Sequence, residues 1–381
     1  MRCDPHRQPA RARPFLGAML CSVSCACGGG AGSGGGSNNP PPPPAAAALL
    51  YVTNQSAGTL DVLTLDAKTG VPTPISGDPL PDGTTPRAIA VDPQKRYLYV
   101  ASSSGEVRGY ALDSSTGTLA AMTGSPFLTG AQSTAIAIDA SGQFVLTANG
   151  TSNSVSVFRI GSAGALAEVA GSPFAAGADP EAIVVTQGDY VYAANAGGGS
   201  VSAYSMSATS GSLTPVAGSP FAVGGNPQAL VLDPAGAHLY AADSQPSGVA
   251  GLAIDAGTGA LTVIPGSPFT APNGALSVVM DGAGALLHVA NGTNVDCYTV
   301  DASSGALSYI GPSATNGRAV ALAVDAADGF LYALDNVSNQ IEVFSIQATN
   351  YNLALIAGNP YPLFTGAGTQ SLGPSSITVV H

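Results

Sequence analysis

Apolar residues in this chain fall in short runs with a recurring order. Ala135-Ile136-Ala137-Ile138 is apolar throughout, the turn Asp139-Ala140-Ser141-Gly142 follows, and Phe144-Val145-Leu146-Thr147-Ala148 is again almost continuous. Ser154-Val155-Ser156-Val157-Phe158 then alternates polar with apolar, and after a turn at Gly164 a short run covers Leu166 to Val169. Brief runs bounded by Gly, Asp, Pro and Ser read as β-strands, not helices. We name the four strands of this unit a, b, c and d. Strand a is uninterrupted in its sister copies too (Ala88 to Val91, Ala182 to Val185, Ala229 to Leu232, Ala321 to Val324), as expected of strands covered on both faces. Small and branched residues alternate within them, which suits close packing around a central axis. Strand c, with Ser or Thr every second residue, belongs nearer the rim.

The unit repeats. Gly-Ser-Pro-Phe stands at 124–127, 171–174, 218–221 and 266–269, with degenerate copies at Gly77-Asp78-Pro79-Leu80, Gly311-Pro312-Ser313-Ala314 and Gly358-Asn359-Pro360-Tyr361. From glycine to glycine the steps are 47, 47, 47, 48, 45 and 47 residues, a period of propeller blades. The expected fold is an all-β, seven-bladed β-propeller of four-stranded blades over residues 48–381. The first repeat opens on a b strand, Leu50 to Asn54, while Pro374 to Val380 copies an a strand with no b strand after it. The C-terminal strand is therefore expected to complete the first blade and close the ring.

Residues 1–47 carry a different pattern. Four arginines lie in 1–14, an apolar stretch runs from Phe15 to Ala26, and Ala26-Cys27-Gly28 follows. This predicts a signal peptide over 1–27 that resembles the bacterial lipoprotein type, with Cys27 as lipid acceptor and Cys25 competing for that role. The Gly/Ser stretch and five prolines of 28–47 predict a tether. The chain is expected to be exported to the bacterial cell envelope, with the membrane reached only through the lipid anchor, since no apolar run is long enough to span a bilayer.

Charged residues make up 9% of the chain against about 25% in an average soluble domain. Four of the 11 Lys and Arg lie in the leader, so 48–381 holds 7 basic against 22 acidic groups, a balance that argues against nucleic acid as a partner.

The Gly-Ser-Pro-Phe motif following Leu-Thr-Pro-Val, with Leu-Tyr-Val-Ala and Asp-Pro-Ala-Gly turns, resembles the lactonase family of seven-bladed propellers, which includes 6-phosphogluconolactonases and carboxymuconate cyclases. Tyr51-Val52-Thr53-Asn54 is also similar to the YVTN repeats of surface-layer propellers. The resemblance implies an Arg-His pair at one a-strand start and a Glu after the following b strand. The matching positions here hold Gln228, Ala229 and Ser244.

Antiparallel pairing of a with b places a-strand starts and b-strand ends on one face, around the channel mouth. The a-strand starts carry Arg87, Thr134, Glu181, Gln228, Leu276, Val320 and Ser375, with Arg318 two residues before Val320. The b strands end at Asn54, Asn149, Asn195, Asp243, Asn291 and Asp335. Arg87, Glu181, Gln228 and Arg318, joined by these amides and carboxylates, form a candidate site for a small polar, sugar-acid-like ligand or a protein partner. The opposing reading makes the Asn and Asp residues turn formers and the charges solvated rim groups. Glu181 and Arg87 are the candidate catalytic pair, expected to stand two blades apart across the funnel. The recurring Asp92, Asp139, Asp233, Asp281 and Asp325 read as turn caps, and no metal or cofactor is implied. Cys297 reads as a small core residue. Two functions are open: a non-catalytic binding or scaffold propeller, and a lactone hydrolase or cycloisomerase using Arg87 and Glu181.

Overall fold

A computed structural model describes residues 48–245, 247–272, 274–325, 327, 329–347, 351–363 and 374–380. The leader and tether, with Cys25 and Cys27, lie outside the described residues. Seven antiparallel sheets follow one another, one per sequence period, each ordered a-b-c-d from the axis outward. In blade 3, a is Ser133–Ile138, b is Phe144–Asn149, c is Ser154–Ile160 and d is Leu166–Glu168. The helical turns among the described residues are two short 3-10 segments, Ser162–Gly164 and Ala196–Gly198.

The first blade is closed by the end of the chain. Pro374–Val380 serves as its strand a and pairs antiparallel with Ala48–Asn54, from Leu49↔Val380 to Thr53↔Ser376 and Asn54↔Pro374. Ile377 and Val380 enter the core layers on either side of this blade.

Six blades have a fifth strand of two residues beyond the expected four, and the repeated motif builds it. In blade 3, Gly171 takes φ +89 and ends strand d, while Ser172 Oγ accepts the Val157 N–H of strand c at 3.0 Å. Phe174 then pairs with Val155, further along the same strand c. Asp78 and Asn359 use a carboxylate or amide oxygen in the serine's place, accepting from Val62 at 2.6 Å and Val343 at 2.8 Å. Blade 6 departs: the span from Ile310 to Ser313 is two residues shorter than its counterpart Ile264 to Phe269. Its outer edge is one strand, Leu307–Ala314, that crosses the gap with a bulge opposite Cys297 and Tyr298.

Blades are locked in pairs by b-strand tyrosines. Tyr51, Tyr99, Tyr192 and Tyr240 donate to the carbonyls of Gly117, Gly164, Gly259 and Gly305 in the next blade at 3.1, 2.7, 2.9 and 2.8 Å. Tyr332 of the last blade reaches Gly70 of the first at 3.3 Å, so this series also crosses the ring closure. Gly259 has φ +72, and a Cβ there would lie 2.3 Å from the Tyr190 ring, so the turn requires glycine. Leu146 and His288 stand at the same b-strand position in blades 3 and 6. His288 is buried with Nε2 unpartnered and Nδ1 3.3 Å from Cys297 Sγ; burial lowers its pKa to about 4, so it is neutral at pH 7. Cys297 is a buried free thiol pushed up to about 12, mainly by burial, which bears out its reading as a core residue. Tyr240→Phe is expected to lose about 1 kcal/mol, the net worth of one buried hydrogen bond. Urea unfolding midpoints of the two proteins check it.

The recurring aspartates sit in the turns between a and b. Asp92, Asp139, Asp233, Asp281 and Asp325 each accept, through Oδ1, the backbone N–H groups four and five residues on. These oxygens are engaged as turn caps, the role read from the sequence.

Candidate functional site

The a-strand starts converge on a cavity of about 590 Å³ at one end of the central channel. Arg87, Thr134, Glu181, Gln228, Leu276, Val320 and Ser375, one from each blade, all line it, together with Arg318. The volume lies within the roughly 300–1,000 Å³ of small-ligand sites. The fold makes this convergence unavoidable: each strand a lies innermost and begins on the face where strand b ends, as in Pro180↔Asn195.

Arg87 and Glu181 do not stand apart as expected. Blade 3 lies between theirs, yet Arg87 Nη2 donates to Glu181 Oε2 at 2.6 Å. The guanidinium, on its long stem, passes Thr134, whose hydroxyl is turned away into the carbonyls of Pro180 and Ala148. The side chains of the pair are 28% and 13% exposed, so the contact is only partly screened by water. Burial raises the Glu181 pKa; Arg87 pulls it back down and Asp179 pushes it up.

Arg318 is held differently. Its backbone N–H donates to Asp335 Oδ1 at 3.0 Å, and the Asn316 N–H donates to Glu342 Oε1 at 2.6 Å. Gly317 lies directly on the Asp335 carboxylate, where a Cβ would come within 1.7 Å of Oδ2. Two buried acids thus fasten the loop by its backbone, while the exposed Arg318 guanidinium has neither hydrogen bond nor ion pair among the described residues. Blades 7 and 2 therefore contribute one free and one engaged guanidinium, with Ser375 of blade 1 between them. Glu181 and Gln228 face them from blades 4 and 5.

The six b-strand ends are not brought to the cavity wall. Asn54, Asn149, Asn195, Asp243, Asn291 and Asp335 are all buried, and their hydrogen bonds go to their own blades. Asn149 donates to Ser154 and Ser156, Asn195 to Ser200 and Ser202, and Asn291 to Asp296. Asn54, Asn291 and Asp335 accept backbone N–H groups of the following turn. The turn-forming account describes them. Asp243 has only a backbone N–H of Asn226 to offset its burial, and its carboxyl is pushed up to about 7. The residues reaching the wall instead are Gln55 and Asn336, one position beyond two of those ends, with Ser277 and Ser376 on strands a. Their signal was the strand end itself, read one residue late.

The chemistry on offer is cationic and amide recognition. No described histidine lines the cavity: His238 pairs with Asp233 at 3.0 Å in an a–b turn, and His288 is buried between blades. Among the described residues, Glu181 is the only carboxylate on the wall.

These features define a seven-bladed propeller with a polar, cation-bearing mouth. Residues 79–224 match the family described as Lactonase, 7-bladed beta-propeller. Among solved structures, a putative 6-phosphogluconolactonase from Bacteroides uniformis superimposes with TM-score 0.77 at 19% identity, covering 88% of this chain and 100% of that one. A second, from Bacteroides fragilis, gives 0.76 at 18%, covering 90% and 100%. The periplasmic gluconolactonase of Pseudomonas aeruginosa gives 0.74 at 18%, covering 88% and 99%. No curated protein matches the chain.

Proposed function

We propose that this chain is a binding protein that holds a small hydroxylated acid at its channel mouth and does not turn it over. The observation that carries this reading is the division of labour in the cavity: among the described residues Arg318 stands unpaired, while Glu181, the only carboxylate that lines the cavity, is tied to Arg87 at 2.6 Å. A free guanidinium recognises a carboxylate or phosphate in a fork of hydrogen bonds. Gln55, Asn336 and the serines supply partners for hydroxyls. Lactone opening needs a base free to activate water and donors for the oxyanion, and the base here is engaged. At the family's Arg-His and Glu positions, Gln228 is bonded to Asn226, Ala229 has no polar group, and Ser244 faces the Asn226 carbonyl at 3.4 Å. In keeping with the leader, we place the protein outside the cytoplasm, anchored through lipid on Cys27 or Cys25. Mass spectrometry of the native N-terminus tests that placement.

Calorimetric titration with D-gluconate and 6-phosphogluconate is expected to show binding that falls about tenfold or more in Arg318→Ala, the loss of a charge-assisted hydrogen-bond pair. Hydrolysis of 6-phosphogluconolactone is expected to stay at the spontaneous rate. The hydrolase reading has one observation in its favour, the burial that lifts Glu181 toward the range of a general base. Turnover abolished by Glu181→Gln or Arg87→Ala would establish it and end the binding-only reading.

A further inference from the structure

The Arg87–Glu181 contact sits where a ligand would. Among the described residues, Glu181 makes its only side-chain hydrogen bond to Arg87. The other polar side chains beside it are committed elsewhere: Thr134 to two carbonyls, Gln228 to Asn226. Glu181 is not needed to fasten a strand or cap a turn, because its strand, Pro180–Val185, is held by the backbone ladder to Tyr190–Asn195. What it does is neutralise a guanidinium that lines the same cavity as Arg318. The geometry, a carboxylate Oε2 at 2.6 Å from Nη2 and partly open to water, is the one a ligand carboxylate would adopt.

We propose that Glu181 is an internal stand-in for a ligand acid group, occupying Arg87 until a ligand with two acid groups displaces it. The inference rests on the anion-binding reading of the mouth and specifies its ligand class. A monoacid satisfies Arg318 and leaves the internal pair intact. A polyhydroxy diacid grips Arg318 with one end and exchanges its second carboxylate for that of Glu181 at Arg87. The exchange replaces one charged hydrogen bond by another, so its gain in the native protein is small. Freed of the competitor, Arg87 would contribute in full. Glu181 is thus a specificity-determining residue that weakens acid binding, the reverse of a catalytic or ligand-gripping role.

The test uses D-glucarate, with two carboxylates, and D-gluconate, with one, titrated calorimetrically into the native protein and its variants. Glu181→Gln is expected to tighten glucarate about tenfold, the increment of one charge-assisted hydrogen bond, and gluconate by less. Glu181→Ala should act in the same direction. In an Arg87→Ala background, Glu181→Gln should change neither affinity, a result that a general effect on folding would not produce. If Glu181→Gln weakens glucarate, or leaves it unchanged while Arg318→Ala still weakens binding, the stand-in role is wrong and the mouth remains an anion site. If neither acid binds the native protein or the Glu181 variants, both readings fall. Binding that appears only once Glu181 is replaced supports the stand-in in its strongest form.

Discussion

Removal of residues 372–381 is expected to lower the thermal midpoint by at least ~10 °C and to make the protein prone to aggregate. The deleted strand pairs with Ala48–Asn54 along its length. It also buries Ile377 and Val380 in two separate core layers, each side chain worth roughly 1.5–3 kcal/mol. Its loss exposes the inner edge of blade 1, where seven backbone positions would lie open to pairing with another chain. It also removes the Ser375–Thr53 hydroxyl contact at 3.0 Å and one wall of the cavity. Scanning calorimetry of the truncated and full-length chains decides the matter: an unchanged midpoint would show that the ring does not depend on this strand.

The second large effect is expected from Asp243→Asn. Burial, offset only by a backbone N–H of Asn226, pushes this carboxyl up to about 7, and its Oδ1 is buried without a partner beneath Gly225. In the unfolded chain the group ionises near pH 3.9. Between roughly pH 4 and 7 the folded protein therefore binds the extra proton, and stability falls as pH rises through that window. Above it the fold carries a buried, ionised carboxylate. The shift corresponds to a few kcal/mol at most, about 1.4 per pH unit. Asparagine, the residue at this position in blades 3 and 4, removes the charge. The variant is expected to be more stable at pH 8 by about 2 kcal/mol, with little difference at pH 5. Urea unfolding at the two pH values measures both. Equal stability at pH 8 would count against a charge-burial penalty.

The blade count and the channel lining were both legible because each depends on backbone periodicity. Once seven glycines mark the period and strand a is known to start after them, Arg87, Thr134, Glu181, Gln228, Leu276, Val320 and Ser375 must surround the axis, and they do. What was not legible depends on where a side chain ends. Residues at b-strand ends looked equivalent to those at a-strand starts. Yet Asn149, Asn195, Asp243 and Asp335 turn beneath the loop glycines Gly130, Gly177, Gly225 and Gly317, and leave the wall to Gln55 and Asn336. The Arg87–Glu181 pair was missed for a related reason: counting blades measures the distance between backbones, whereas a guanidinium on its flexible stem reaches across one. The fifth strand was hidden because Gly-Ser-Pro-Phe reads as a terminator. The serine in fact holds the chain against strand c so that pairing resumes two residues later.

The direction of the first strand has a consequence for how the molecule is presented. Ala48–Asn54 runs toward the mouth, since Asn54 pairs with Pro374, where the cavity-lining strand of blade 1 begins. Ala48 therefore lies at the far face, among the aspartate turns. The acid-capped turns and the mouth that carries Arg318 therefore stand at opposite ends of the same strands, so an anion from solution meets the guanidinium at the end away from those carboxylates.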